Sequence, residues 1–333
     1  MDIRDLGALR QTAGDRLSRA SYDPRKLVLL HTAVSLGASF LLAVLDLFLA
    51  RQIDGTGGLA GIQTRTALET IRSALLYGST IALPFWEFGM VYAAICLARG
   101  QDVGPNGLLT GFRRFGPVLR LLLVQGALYF AVAVVCIHIS SFAFALTPLA
   151  QPLMDVMLPL MEEASALDPQ MMLDQATMDA MLEAMIPMFI LCGVLYLAAL
   201  VPLMLRFRLS EYLIMDGDSG AIHAMLTSWK MTKGNVFALL KIDLSFWGFY
   251  LLQILCMVIG YGNVLLPMLG VNLPLSEKGA YVVFILMQIL LQLALYWWAG
   301  SRMYTTYALA YDALLQPAPV PAPPVPSKVP WDY

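Results

Sequence analysis

The chain has 333 residues, of which 59% are hydrophobic and only 13% are charged, with a mean hydropathy of +0.70 and a formal net charge of −2. An ordinary soluble domain has about 25% charged residues. This composition excludes a water-soluble globular domain, a disordered chain and a disulfide scaffold. It also gives no basic field of the kind that nucleic-acid-binding proteins carry. It predicts a polytopic membrane protein.

The N-terminal segment, residues 1–26, is predicted to be cytoplasmic and to form an amphipathic helix. Ile3, Leu6, Ala13 and Leu17 lie near one face, and arginines and aspartates occupy the remainder. Basic side chains beside an apolar stripe favour contact with an anionic leaflet. A regulatory arm that binds a protein is the alternative interpretation.

Six later segments are long and apolar enough to cross a bilayer, because a crossing helix takes about 20 residues. They are Leu27–Ala50, Ser73–Ala98, Val118–Leu146, Met185–Leu205, Leu244–Leu269 and Tyr281–Ser301. The segments are too long and too uniformly apolar for barrel strands, so they must satisfy their backbone groups as helices. The expected fold class is all-α: a polytopic membrane protein with six transmembrane helices and amphipathic interfacial helices. The membrane domain is expected at residues 27–312.

The basic residues predict the orientation of these spans. Of the 21 Lys and Arg residues, 17 lie in the N-terminal segment, the second and fourth connections with their flanks, and the C-terminal part. The four others are Arg51, Arg65, Arg72 and Lys278. Because basic residues remain on the cytoplasmic side, both termini are expected in the cytoplasm.

Two segments outside the spans have an unusual composition. The third connection, residues 147–184, is expected on the external side; it is acidic and rich in methionine, without Lys or Arg. Within it, Asp168-Pro169 is typical of a helix start. The favoured interpretation is an amphipathic helix over the bundle, and capture of a soft metal or of cations is the alternative. The tail, residues 313–333, is Pro-rich and is expected to be an extended cytoplasmic segment.

Polar residues at bilayer depth are costly and often functional. Glu87 lies near the middle of the second span, just after Pro84, and Gln292 and Gln253 lie near the middle of the sixth and fifth spans. We therefore expect a midplane layer of Glu87, Gln253 and Gln292. Packing hydrogen bonds between helices are the favoured role, and a polar pathway or a headgroup site is the alternative.

The fourth connection predicts an elbow between a surface helix and the fifth span. Lys233 and Gly234 are expected to end the surface helix, and Asn235 to take a left-handed or capping conformation. Ser245 is expected to bond across helices, and Gly248 to permit their close approach. These five residues are the predicted cytoplasmic elbow.

Three stretches carry a family resemblance: RLSEYLIMD at Arg208–Asp216, SWKMTKGN at Ser228–Asn235 and LSFWGF at Leu244–Phe249. A Lys-Gly-Asn step followed, after a spacer, by Leu-Ser-Phe-x-Gly resembles the bacterial family called domain of unknown function 975. The similarity extends from about residue 5 to residue 312. The resemblance implies a bacterial multi-pass membrane protein of unestablished function, and it supplies no catalytic residues.

No motif in the sequence indicates an enzyme. There is no glycine-rich phosphate loop or Gly-x-Ser-x-Gly turn, and His31, His138 and His223 are far apart. No catalytic, cofactor-binding or metal site is therefore expected. We expect a non-enzymatic membrane scaffold or lipid-interacting accessory factor in the bacterial cytoplasmic membrane; a transporter for a small or lipidic solute is the alternative. The expected partners are the lipid bilayer and its anionic headgroups, with another membrane protein left open and nucleic acid excluded.

Overall fold

The computed structural model describes residues 3–55, 62–164, 175–217, 219–268, 270–271 and 277–315, and these ranges contain helices and no strand. The α-helices are α1 (Leu6–Arg19), α2 (Pro24–Gly55), α3 (Ile62–Ala98), α4 (Thr110–Arg113), α5 (Phe115–Ala145), α6 (Gln151–Ala164), α7 (Gln175–Phe207), α8 (Ser210–Asp216), α9 (Ala221–Thr232), α10 (Val236–Ser245), α11 (Trp247–Gly260), α12 (Gly262–Met268), α13 (Glu277–Leu295) and α14 (Ser301–Leu315). Short 3₁₀ helices lie at Pro105–Leu109 and Pro148–Ala150, and a π-helical turn at Tyr296–Gly300 joins α13 to α14.

The chain divides into two compact units. Unit 1 comprises residues 1–118 and 209–333, and unit 2 comprises residues 119–208. Unit 2 contains most of α5, together with α6 and α7, and α6 packs against α7. The predicted external connection, residues 147–184, contains α6 and the beginning of α7. The predicted helix start at Asp168-Pro169 and almost all of the Pro-rich tail lie outside the described residues.

The predicted fold class is confirmed. Five helical segments are long and apolar enough to cross a membrane: Pro24–Ile53, Gln63–Ala98, Phe115–Ala145, Met178–Asp216 and Gly279–Leu315. A sixth candidate is a bent pair, because α10 and α11 together pass the same criterion but meet at 59°. The protein is therefore a polytopic, all-α membrane protein with five or six crossings by length and composition.

Ion pairs bring the ends of three helices together at one end of unit 1. Arg99 follows α3, Asp216 ends α8 and Asp312 lies near the end of α14, and the three side chains are ion-paired. We call this end of unit 1 the Arg99 end. Helix α1 packs against α3 and α14. The guanidinium of Arg114 donates to the carbonyl of Gly217, so these two residues of unit 1 also lie at the Arg99 end.

The pairing of α11 with α13 then favours six crossings. Gln253 is hydrogen-bonded to Tyr296, while the backbone of Gly260 lies against the amide of Gln288. The two helices are therefore antiparallel. Because α13 and α14 lead towards the Arg99 end, α11 leads away from it. Helices α11 and α12 extend over residues 247–268, up to about 33 Å of helix, which is enough to cross the hydrocarbon core.

The predicted fifth span needs a correction. Leu244 and Ser245 belong to α10 and not to the crossing helix, because the chain bends at Phe246. The next helix, α11, begins at Trp247, and the helical run is interrupted again at Tyr261. The apolar run continues through both bends, so hydropathy alone does not reveal either of them.

Helix α3 is the central element of unit 1. Its last four turns are the most buried part of any crossing helix among the described residues, with Phe85, Met90 and Ala94 at 1%, 0% and 0% exposure. Helices α1, α2, α4, α8 and α14 all pack against it. The helix runs on through Pro84. The candidate site residues are arranged along this helix.

Candidate functional site

Charged side chains contact α3 at three levels. Arg72 pairs with Asp46 of α2, Glu87 lies beside His31 of α2, and Arg99 forms the third level just beyond the end of α3. At a rise of about 1.5 Å per residue, the first two levels are about 22 Å apart and the last two about 18 Å apart. Glu87 therefore lies near the middle of the membrane-spanning length, between two ion-paired levels that are about 40 Å apart.

The Arg99 level is an ion-paired cluster. One guanidinium edge donates to both carboxylate oxygens of Asp216, through Nη1 and, at 2.8 Å, through Nη2. The same side chain donates to Asp312 at 2.7 Å. The Tyr311 hydroxyl adds a hydrogen bond of 2.9 Å to Asp216. These two carboxylates hold the pKa of Arg99 above its ordinary value, so this side chain stays charged at every working pH.

The middle level is formed by His31 and Glu87. The ring of His31 stacks on Trp86, with centroids 5.8 Å apart and planes 2° apart, and Trp86 donates its indole N–H to the His31 carbonyl at 3.0 Å. The His31 Nε2 and Glu87 Oε2 atoms are 3.5 Å apart, and the His31 side chain is 3% exposed while that of Glu87 is 53% exposed. Tyr304 meets the His31 ring edge-on. An acid and an imidazole are thus held together within the spanning helices.

Several buried polar atoms on His31 and on the helices that pack against α2, or on α2 itself, have no hydrogen-bond partner among the described residues. They are Nδ1 and Nε2 of His31, the hydroxyls of Thr32, Ser35 and Thr305, and Oε1 of Gln292. They come from α2, α13 and α14, and α2 packs against both of the other helices. An unpaired buried polar group costs about 1–3 kcal/mol, so such a concentration marks a place where a polar guest would be stabilising. The π-helical turn at Tyr296–Gly300 lies in the same region, and π turns are frequent at functional sites.

The three residues of the predicted midplane layer have different bonding partners. Glu87 lies beside His31, whereas Gln253 is bonded to Tyr296. Gln292 is buried, with 9% of its surface exposed. Among the described residues no hydrogen bond or ion pair joins any two of Glu87, Gln253 and Gln292. The roles of these three residues therefore stay a prediction. The charged-group contact that the structure shows for Glu87 is with His31.

The first part of the predicted elbow has the expected local geometry. Helix α9 ends at Thr232, and Gly234 has a φ of +84°, a left-handed conformation that favours glycine. Lys233 is exposed beside it. Asn235 has a φ of −115° and is not left-handed. Its side chain instead donates to the carbonyl of Met231 at 3.3 Å, which caps the end of α9.

The second part of the elbow differs from the prediction. The hydroxyl of Ser245 donates to Ile242 of its own helix at 2.6 Å, so it does not bond across helices. Apart from its chain neighbours and the backbone of its own helix, no described heavy atom lies within 4 Å of a Cβ placed on Gly248, so this glycine does not mark a close helix approach. The bend after α10 is held by α1 instead: Arg10 donates to the Ser245 carbonyl at 2.8 Å and lies 5.0 Å from the Phe246 ring centroid.

Three cavities lie along α1, and each is lined by two basic side chains. Their volumes are about 270, 90 and 280 Å³. The basic pairs are Arg4 with Lys241, Arg16 with Arg19, and Arg25 with Arg302. Metal chemistry has no comparable setting, since the described residues hold no group of three or more His, Cys, Asp or Glu side chains fit to bind an ion.

Comparison with known families places this chain. The model of the family described as "Protein of unknown function (DUF975)" matches residues 7–296. The chain belongs to the DUF975 family. No curated protein matches the chain. No solved structure matches it either.

The DUF975 match includes His31, Glu87, Arg99 and Asp216, and it ends before Asp312. Sequence reasoning missed the partners of two of these residues. A comparison of depths in the membrane would have revealed His31 as a partner of Glu87. His31 lies two turns after the start of α2, and Glu87 lies three turns before the end of α3, so both are at a similar distance from the same side of the membrane. The pairing of Arg99 with two carboxylates had no such signal, because both carboxylates come from segments far along the chain.

Proposed function

We propose that this DUF975 protein is a non-enzymatic, lipid-interacting membrane scaffold. It lies in the bacterial cytoplasmic membrane, and its Arg99 end faces the cytoplasm. The observation that carries the proposal is a lysine-flanked row of large apolar side chains left exposed on α9, α10 and the start of α11. Such surfaces bind the boundary between headgroups and acyl chains.

Helix α9 has two apolar faces. Its inner face packs into unit 1, where Ala224 and Met225 are 0% and 6% exposed. Its outer face presents Ile222, Leu226 and Trp229, which are 64%, 57% and 41% exposed. The spacing of four and three residues places these three on one stripe. Trp is typical of the membrane interface, so this stripe is suited to lipid contact.

The exposed apolar surface continues beyond the elbow. Phe237, Leu244 and Trp247 are 80%, 59% and 63% exposed. Lys233 and Lys241 lie beside them and are also exposed. Basic side chains next to an apolar stripe attract anionic lipid, at about 1 kcal/mol for each Lys or Arg near the surface. This charge pattern supports a cytoplasmic position for the Arg99 end, where basic residues are concentrated.

The proposal is tested by measuring depth in the membrane. We would replace the four native cysteines by alanine, attach a nitroxide at Leu226→Cys, and use Gln101→Cys in the exposed loop after α3 as the control. In liposomes, the label at position 226 should collide with oxygen more often than with a water-soluble nickel complex, and the label at 101 should show the reverse. Equal preference for the nickel complex at both positions would contradict the proposal.

A transporter for a small or lipidic solute is a second candidate, favoured by His31, Glu87 and the unpartnered polar atoms around them. A transport pathway is hydrated at some stage, whereas a packing contact is not. A water-soluble carbodiimide should therefore modify Glu87 only if there is a pathway, while a hydrophobic carbodiimide reaches it in either case. Mass spectrometry of the peptide carrying Glu87 decides between them, and the exposed Glu69 is the internal control for reactivity.

A further inference from the structure

We propose that the cavity between the start of α1 and the start of α10 binds the phosphate-bearing headgroup of an anionic phospholipid. The inference rests on the proposed lipid-interacting function and specifies one ligand for it. The cavity has a volume of about 270 Å³. Pockets for drug-sized ligands begin at about 300 Å³, so this one suits a headgroup whose acyl chains stay outside.

The lining of the cavity has the chemistry of a lipid headgroup site. Ile3, Leu6 and Ala238 are apolar, and Arg4 and Lys241 supply two cations. Among the described residues that line it, none carries a carboxylate. An arginine offers a planar set of donors to phosphate oxygens, and a lysine offers a point charge. The site thus pairs a doubly basic rim with an apolar floor.

Contacts before α1 and in its first half fix the chain beside the cavity. Ile3 is 6% exposed and Leu9 is 0% exposed, so this helix is fixed by burial. Arg10 is bonded to the Ser245 carbonyl at the end of α10, while Ile3 and Arg4 lie against its beginning. Residues 3–10 therefore run in the same direction as α10, and Arg4 and Lys241 line one cavity before any ligand arrives. Such preorganisation favours binding.

The position of the cavity favours a membrane lipid over free phosphate. Phe237 forms one wall and is 80% exposed. Lys241 and Leu244 follow it at four and seven residues, on the same face of α10. This face continues the exposed apolar surface that we assign to lipid. A lipid whose phosphate contacts Arg4 and Lys241 can lay its chains along Phe237, whereas inorganic phosphate gains nothing from that wall.

The test compares lipids on the full chain in detergent by native mass spectrometry. Phosphatidylglycerol should bind at least about tenfold more tightly than phosphatidylcholine, as expected from two cations near an anionic group. The double variant Arg4→Gln/Lys241→Gln should lose that preference. The control pair Lys230→Gln/Arg113→Gln removes the same charge from exposed positions outside the cavity and should keep it. Arg4→Lys/Lys241→Arg should also keep most of it.

Three outcomes would overturn the proposal. One is equal loss of preference in the double variant and the control pair, which would indicate a general charge effect. Another is full displacement of phosphatidylglycerol by millimolar inorganic phosphate, which would indicate a free-anion site. The third is unchanged preference in a double variant with wild-type thermal unfolding. Failure here leaves the depth result at Leu226 intact, so loss of this site and loss of the lipid-interacting function are distinguishable.

Discussion

Arg99 connects parts of the chain that are far apart in sequence. Its guanidinium bonds to Asp216 of α8 and Asp312 of α14, and about a third of the arginine side chain is exposed. Both carboxylates are more buried than the arginine, at 20% and 18% exposure. Removing the cation would leave two poorly solvated carboxylates facing each other. Removing one partner of a buried ion pair destabilises a protein more than replacing the whole pair does, because the remaining charge is left without compensation.

We expect Arg99→Gln to lower the free energy of unfolding by about 2 kcal/mol, below the roughly 3–5 kcal/mol of fully buried pairs because solvent screens this one. The free energy of unfolding of Arg99→Lys should lie between those of the wild type and Arg99→Gln, since an ammonium group lacks the planar set of donors that bonds to two carboxylates. The measurement is dodecyl sulfate titration in mixed micelles. Arg65→Gln is the control: its pair with Glu69 is 60% and 51% exposed, and its removal should cost less than about 0.5 kcal/mol. Equal losses of stability in Arg99→Gln and Arg65→Gln would contradict the stabilising role that we assign to Arg99.

At single positions, the sequence is informative where local geometry decides the outcome. Gly234 is predicted to end a helix, and its positive φ agrees. The prediction for Gly248 follows the rule that small residues permit close packing, but the described structure leaves open space there. The Ser245 hydroxyl bonds to the carbonyl three residues back in its own helix, a local bond that serine often forms in place of a tertiary one. Tertiary contacts of this kind depend on how distant segments meet.

Among the secondary-structure elements, the segment after α3 packs closely against the backbone of α3. The chain turns back after Ala98, and α4 then lies along the end of α3. A Cβ on Gly89 would be 1.8 Å from the Leu108 carbonyl oxygen, and a Cβ on Gly111 would be 1.9 Å from that of Phe85. These atoms belong to backbone and cannot move aside as a side chain can. The reversal of the chain after α3 therefore requires glycine at both positions.

We expect Gly111→Ala to destabilise the protein by about 1–3 kcal/mol or more, because the added methyl must displace α4 from α3. Gly248→Ala is the matched control, since a Cβ meets nothing within 4 Å there. It should be neutral or stabilising by up to about 1 kcal/mol, as alanine restricts the unfolded chain more than glycine. Thermal unfolding in detergent measures both. An equal loss of stability in Gly248→Ala and Gly111→Ala would instead support the close helix approach predicted for the elbow.

For the whole molecule, composition and hydropathy are sufficient to predict an all-α membrane protein. Five of the six predicted spans appear as long helices, extended beyond the apolar run at one or both ends. The fifth could not be predicted in its true form, because both bends fall inside an uninterrupted apolar run. Hydropathy indicates whether a segment lies in lipid or in water, but it does not indicate where a helix bends. Bends depend on packing, and the first one lies where Arg10 contacts the end of α10.

The number of crossings yields the last prediction. If α11 and α12 cross the membrane, Val271 lies on the opposite side from Gln101, which follows the end of α3. In a chain without native cysteines, an impermeant maleimide applied to whole cells should label Val271→Cys, and it should label Gln101→Cys only after permeabilisation. Val271 is 46% exposed, so access is not limiting. Protection of both positions would make α10–α12 a re-entrant segment and leave five crossings, and the reverse pattern would invert the orientation inferred from the basic residues.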